Sequence, residues 1–433
     1  MSQVFKQAQQ AFETYRNTPI YQRSEILRKI SETILLQKEQ LIDLVIEESK
    51  KPRIYALSEI DRTAHTFLIA SEEAKRLPAE YFSLDWAAST QNTEALVRHF
   101  PVGVILGFTP FNFPFNLVAH KVAPAISAGC SIVVKPSPRA VKCAEKLQEI
   151  ALQCGLPKHV FQVIDVPNTE ASKLLQEPDV KMLSFTGSPT VGWMLKRESG
   201  KKKVALELGG NAAAIVTPTA NYKEALKKCL IGGFAYSGQV CIHTQRIFVH
   251  ESIYDKFLKD YASGASEFKY GNPQDYTTEI SDLIDEYAAT RVEEWIIEAV
   301  KQGAKLITGG KRSGCFVEPT VLTNTSADMK VSCEEVFGPV VIVEPYSFIE
   351  EAIERVNKSP YGLQAGIFTD SQSEINKAYN LLDVGGLIVN DSPTFRADHM
   401  PYGGVKDSGL GREGVKYAIL EMMEPKVLVK PKD

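Results

Sequence analysis

The sequence predicts an α/β protein built on parallel sheets, and three observations carry that expectation. Its 433 residues exceed what one small core serves, so two large domains follow from length. Short apolar runs alternate with helical patterns after about residue 92. Those runs are continuously apolar rather than alternating, as strands buried on both faces require.

In chain order, the first 75 residues read as helices. Apolar residues recur at helical spacing in Ile26, Leu27, Ile30, Ile34 and Leu35, and again in Leu41, Leu44 and Val45, with Pro52 and Pro78 as punctuation. The runs 102–108, 130–136, 159–164 and 181–187 then read as strands separated by ten to twenty helical residues. That alternation predicts crossover helices over a parallel sheet. A second series follows Gly209: AAAIV, a helix from Tyr222 to about Tyr236, RIFVH, then AKLITGG, FVEPTVL, VVIVEP, AGIFT and GGLIVN. The two series meet at ELGGN, 207–211. The polar strand 92–100 and the tail KVLVKP are β-prone segments expected to pair outside the main sheets, with another subunit as one partner.

Composition narrows the function classes. The net charge is only -4 and no basic run is interleaved with aromatics, so no nucleic-acid partner is expected. Seven scattered cysteines show no C-x-x-C spacing, which argues against structural zinc and a disulfide framework and predicts a reducing, cytoplasmic setting. The polar segment after Met1 lacks a leader's basic start and apolar core, and no run of about 18 apolar residues predicts a membrane span.

Five segments could carry chemistry. Cys241 in Gly238-Gln239-Val240-Cys241 is one thiol among seven, and packing is the ordinary fate of a cysteine. Glu207 lies in an apolar strand, where burial would raise its pKa toward a general base; a structural salt bridge is the alternative. Asn112, held between aromatics and prolines in TPFNFP, suits either an oxyanion donor or a helix cap. Lys135 ends a buried-type strand, where open parallel sheets bind ligands, or is a solvated loop lysine. Thr186-Gly187-Ser188 precedes a helix opened by Pro189, which offers free N–H groups to a phosphate or is simply a capped turn.

Taken in order, FTPFNFP, VVKP, SFTGS, LELGGN, GQVC, EEVFGP and PYGGVKDSG resemble the motif series of the NAD(P)-dependent aldehyde dehydrogenase superfamily across residues 100 to 425. The stretches PFNFPFNLVAHKVAPAISAG and TFRADHMPYGG look most like the branch acting on lactaldehyde, phosphonoacetaldehyde and sulfolactaldehyde. The resemblance implies a Rossmann-like cofactor domain (1–208, with oligomerisation strands near 83–101), an α/β catalytic domain (209–405) and a returning segment with an oligomerisation tail (406–433). It implies a homodimer or homotetramer, and NAD or NADP as cofactor. Cys241 becomes the nucleophile as a thiolate, Glu207 the general base that activates water, and Asn112 an oxyanion donor with the Cys241 N–H. Thr109, Pro110, Phe111, Lys135, Pro138, Gly187, Ser188, Gly192, Leu208, Glu335 and Phe337 become the cofactor contacts.

The chain departs from the pattern in two places. NAD-preferring members carry a glutamate where this sequence has Pro138, so a 2'-phosphate meets less repulsion and the adjacent Arg139 is a candidate to pair with it. The N-terminal residues and β-hairpin that members place before the first helix are also absent from this sequence. For the substrate, Asn116, His120, His243, Arg396 and His399 are polar groups near the motifs. Arg396 leads, because its guanidinium suits a carboxylate, phosphonate or sulfonate. Three readings compete with aldehyde hydrolytic oxidation: a CoA-acylating dehydrogenase, a cysteine hydrolase pairing Cys241 with His243, and a catalytically silent homologue.

Overall fold

The computed structural model describes residues 2–432. Four helices open the chain: Ser2–Tyr15, Ile20–Leu36, Lys38–Ser49 and Arg53–Glu73. Leu27, Ile30 and Ile34 of the second and Leu41, Ile42 and Val45 of the third are buried in one core with the helix Asn116–Ala128. Leu35, read as part of the same stripe, is 50% exposed because it lies one residue off that face.

Both predicted strand series form, each as its own sheet. The first has the order Gly409–Leu410, Lys203–Glu207, Val180–Thr186, Val104–Thr109, Ser131–Pro136, Phe161–Val163. The last five strands of that order are parallel throughout. Every residue of Val104–Thr109 and Ser131–Pro136 is buried, which is why these runs show no polar alternation. The second sheet runs Lys305–Thr308, Thr320–Thr323, Val340–Tyr346, Thr244–His250, Ala212–Val216, Gln364–Phe368, Gly386–Val389. The chain changes sheets at 208–211, inside ELGGN.

Each sheet also carries an antiparallel edge that parallel periodicity does not predict. Gly409–Leu410 pairs with Lys203–Glu207, and Lys305–Thr308 with Thr320–Thr323. The first of these brings the C-terminal motif PYGGVKDSG against the strand that ends in Glu207.

The two β-prone segments pair outside the main sheets, as expected, and do so with one another. Thr93–Pro101 and Met423–Pro431 run antiparallel from Thr93 opposite Pro431 to Pro101 opposite Met423, and Ala79–Ser83, not foreseen as a separate strand, adds to Thr93–Pro101. Val427, Leu428 and Val429 on the edge strand stay 53–58% exposed. Among the described residues no helix is long and apolar enough to cross a membrane, and no cluster of His, Cys, Asp and Glu could hold a metal ion.

Candidate active site

The carboxyl ends of parallel strands deliver the chemistry-bearing groups into the crevice between the sheets, as open α/β folds require. Strand Val104–Thr109 leads into Pro110-Phe111-Asn112, and strand Lys203–Glu207 ends on Glu207. The thiol arrives from the second sheet, on the loop between the helix Tyr222–Phe234 and the strand Thr244–His250.

That loop is shaped by three consecutive left-handed residues, Tyr236 (φ 51°), Ser237 (φ 52°) and Gly238 (φ 71°). A Cβ on Gly238 would lie 2.2 Å from the Gly338 carbonyl oxygen, so the position admits glycine alone. Gly210 plays the matching part in ELGGN, since a Cβ there would meet the Cys241 carbonyl oxygen at 2.3 Å. Two glycines thus set where the thiol loop rests.

Asn112 Nδ2 donates to the Gln239 carbonyl at 3.0 Å, which ties the TPFNFP turn to the thiol loop. One of its two N–H groups remains for another acceptor, and its Oδ1 is buried without a partner. The capping alternative falls away, because the Asn112 side chain caps no helix.

Cys241 Sγ lies 3.2 Å from the Tyr402 hydroxyl. Burial pushes the thiol up to about 11, with the Tyr402 hydrogen bond and Arg396 opposing and Glu335 and Glu207 reinforcing the rise. Burial thus works against the thiolate that attack on an aldehyde calls for.

Glu207 is buried and its carboxyl is held well above the ordinary range, first by burial and then by the nearby Glu413. Its Oε2 has no hydrogen-bond partner, so the salt-bridge alternative fails. Glu413 is pushed the other way. Burial opposes its charge, but Lys121 (Nζ–Oε1 3.2 Å), His120 and Arg396 (Nη2–Oε2 3.1 Å) hold it below its usual value. Of two neighbouring carboxyls, Glu413 is the one whose charge is favoured and Glu207 the one whose charge is disfavoured. Lys121, Tyr402 and Glu413 escaped the sequence reading. Their only sequence signal was membership in, or nearness to, the quoted motifs.

Arg396 lies inside the protein. Its side chain is 8% exposed, pairs with Glu413, and stacks 3.8 Å from the centroid of the Tyr402 ring, leaving Nε without a partner. The other substrate candidates diverge from it. Asn116 is buried and donates to Thr66 Oγ1 at 3.3 Å, joining two helices. His243 gives its Nε2 to the Gly233 carbonyl at 2.8 Å and is held down at about 4 by burial, so it packs the loop and is no partner for Cys241. His120 Nε2 meets Asp398 Oδ1 at 2.9 Å, while His399 is exposed.

A cleft of about 520 Å³ opens along the first sheet, lined by Thr109, Pro110, Phe111, Lys135, Pro138, Gly187 and Ser188. Thr186, read together with Gly187 and Ser188, lines it too, as do Asn168 and Val191, which were missed. Lys135 Nζ bonds Asn168 Oδ1, and the buried hydroxyls of Thr109 and Thr186 have no partner. Ser188 precedes the helix Pro189–Glu198 without a side-chain cap, so its first N–H groups are available. Apolar walls, an amine, orphaned hydroxyls and a helix start fit a dinucleotide. Gly192 and Leu208 lie against one another, a Cβ on Gly192 coming 2.4 Å from Leu208 Cδ2, so this pair packs closely outside the lining. Glu335 accepts from the Gly210 N–H at 3.0 Å and is pushed up to about 7 by burial. Phe337 meets Phe111 edge-on at 6.0 Å between centroids. Arg139 is exposed, lies 3.4 Å from Asp285, and is not part of the lining.

A buried thiol, carboxamide and carboxyl at the strand ends, with a dinucleotide-sized cleft along the first sheet, point to the class: an oxidoreductase. The chain belongs to the aldehyde dehydrogenase family, whose sequence profile matches residues 1–428. It is similar to the 3-sulfolactaldehyde dehydrogenase of Priestia aryabhattai, 45% identical over 94% of this chain and 86% of that one. Among solved structures it resembles aldehyde dehydrogenase 21 from Physcomitrella patens in complex with the reaction product succinate (TM-score 0.96, 40% identity, 99% of this chain and 89% of that one). It also resembles the glyceraldehyde-3-phosphate dehydrogenase of Methanocaldococcus jannaschii complexed with NADP (TM-score 0.94, 36% identity, 99% and 94%). It is an aldehyde dehydrogenase that uses NAD or NADP.

Proposed function

We propose that this chain oxidises a small anionic or hydroxylated aldehyde, of the sulfolactaldehyde, phosphonoacetaldehyde or lactaldehyde kind, to its carboxylic acid. The observation that carries the substrate class is Arg396, a buried guanidinium with an unused N–H one side chain from the thiol. The anionic or phosphorylated compounds named with the three relatives above point the same way.

In this reading Cys241 Sγ, after losing its proton, adds to the aldehyde carbon. The carbonyl oxygen becomes an oxyanion held by Asn112 Nδ2 and the Cys241 N–H. A nicotinamide dinucleotide in the cleft supplies the acceptor for the hydride of that carbon. Thr109, Pro110, Phe111, Lys135, Gly187 and Ser188 would hold it along one wall, with Glu335 and Phe337 at the end nearer the thiol loop. Cys241 is left as a thioester. Glu207 takes a proton from water, whose oxygen adds to the thioester carbon, and the C–S bond breaks to return the thiol and release the acid. Gly192 and Leu208 support the cleft from below.

The change of sheet at 208–211 supports assigning 1–208 and the returning 406–433 to the cofactor side and 209–405 to catalysis. The exposed row Val427, Leu428 and Val429 on an edge strand supports a homodimer or homotetramer, and seven unpaired cysteines support a cytoplasmic setting. Assaying propionaldehyde, lactaldehyde and sulfolactaldehyde with each cofactor tests the proposal. A preference for the anionic aldehyde that persists without CoA is expected; equal kcat/KM across the panel, or turnover only with CoA, would refute it.

A further inference from the structure

The site holds one contact with the reacting sulfur that the mechanism above does not use. We propose that the Tyr402 hydroxyl is a catalytic hydrogen-bond donor to the Cys241 sulfur, favouring its thiolate both when the nucleophile forms and when the thioester releases it. The proposal rests on Cys241 being the nucleophile.

Geometry leads. Tyr402 Oη lies 3.2 Å from Sγ and is the sulfur's only side-chain hydrogen-bond partner among the described residues. Either atom can donate while the thiol is protonated, but a thiolate has no proton, so only the phenol can donate to it. A contact that strengthens on ionisation favours the ionised form. The phenol is kept as a donor, since burial and then the neighbouring thiol hold its own ionisation well above the ordinary range. Arg396 stacks on the phenol ring 3.8 Å from its centroid. A cation there draws electron density from the ring and makes the O–H a better donor.

The charged surroundings make such a donor necessary. Glu335 and Glu207 both oppose a charge on Cys241, while Arg396 favours it. Among the described residues no basic side chain hydrogen-bonds the thiol, and His243 is bonded to the Gly233 carbonyl instead. The hydroxyl fills that gap without carrying a charge of its own. Acyl release draws on the same bond, since the leaving group is again a thiolate.

The test needs no turnover, so it stands apart from any failure of the proposed reaction. The full-length, cofactor-free protein is alkylated with iodoacetamide across pH, and modification of Cys241 is followed by peptide mass, with Cys333 as internal reference. Tyr402→Phe keeps the ring under Arg396 and removes only the hydroxyl. Its Cys241 midpoint should rise by about one pH unit, making alkylation below the midpoint about tenfold slower, with Cys333 unchanged. Should that variant not fold, 3-fluorotyrosine at position 402 retains the contact with a stronger donor, and the midpoint should fall. Superimposed Cys241 profiles in whichever variant folds would overturn the proposal.

Discussion

The Arg396 guanidinium lies 3.8 Å from the centroid of the Tyr402 ring while its Nη2 meets Glu413 Oε2 at 3.1 Å. One arginine thus touches the residue that contacts the thiol and the carboxylate that raises Glu207. A substrate anion at Arg396 would be held at a fixed offset from the attacking sulfur.

Removing that guanidinium should therefore separate substrates. Arg396→Ala is expected to raise KM for an anionic aldehyde by about 10- to 100-fold, the value of one or two charge-assisted hydrogen bonds, and to change it far less for propionaldehyde. Steady-state kinetics on both aldehydes decides this; an equal rise in both would assign Arg396 to structure alone.

Glu207 should shape the pH dependence. Its carboxyl is raised by burial and by Glu413, so the basic form needed for water activation grows as pH climbs through that raised value. Thioester hydrolysis should accelerate with pH over the same range. Glu207→Gln should flatten the limb and lower kcat by about 10²- to 10⁴-fold while leaving a single-turnover burst of reduced cofactor. A stopped-flow trace without the burst would place Glu207 before hydrolysis instead.

The same shift has a stability consequence. A carboxyl whose folded-state pKa exceeds its unfolded value contributes stability at low pH that is lost as pH rises toward the folded value. Glu207→Gln removes the group that must be charged in a buried site, so the variant's melting temperature relative to wild type should improve from pH 5 to pH 8, by about 2 °C or more. Calorimetry at the two pH values reads the sign directly.

Asn112→Ala should lower kcat by about 10²- to 10³-fold, the usual cost of one oxyanion donor. Because Asn112 also holds the Gln239 carbonyl, the pH profile of Cys241 alkylation serves as the control: unchanged accessibility with lost turnover identifies the oxyanion role.

Gly210→Ala would bring a methyl group to 2.3 Å from the Cys241 carbonyl oxygen, where backbone must move. Displacement of the thiol loop should abolish turnover, with cofactor binding by fluorescence titration retained because the lining of the cleft does not include Gly210.

The two sheets were legible because strands buried on both faces read as uninterrupted apolar runs, as Val104–Thr109 and Ser131–Pro136 do. The antiparallel edge Gly409–Leu410 was not, since two residues carry no periodicity. Motif order brought Cys241, Glu207 and Asn112 forward. Asn116 and His243 were named on nearness along the chain alone, which says little about which side of a helix or loop a side chain takes. Glu413 was invisible, its partner Lys121 lying 292 positions away. Tyr402 stood inside a quoted motif, but an aromatic reads as packing until its hydroxyl is located.

The most direct test of covalent catalysis is mass spectrometry of Glu207→Gln quenched after mixing with aldehyde and NADP. The account predicts that the peptide containing Cys241 gains the mass of one acyl group, released by hydroxylamine. An unmodified Cys241 peptide accompanied by a full equivalent of reduced cofactor would contradict it.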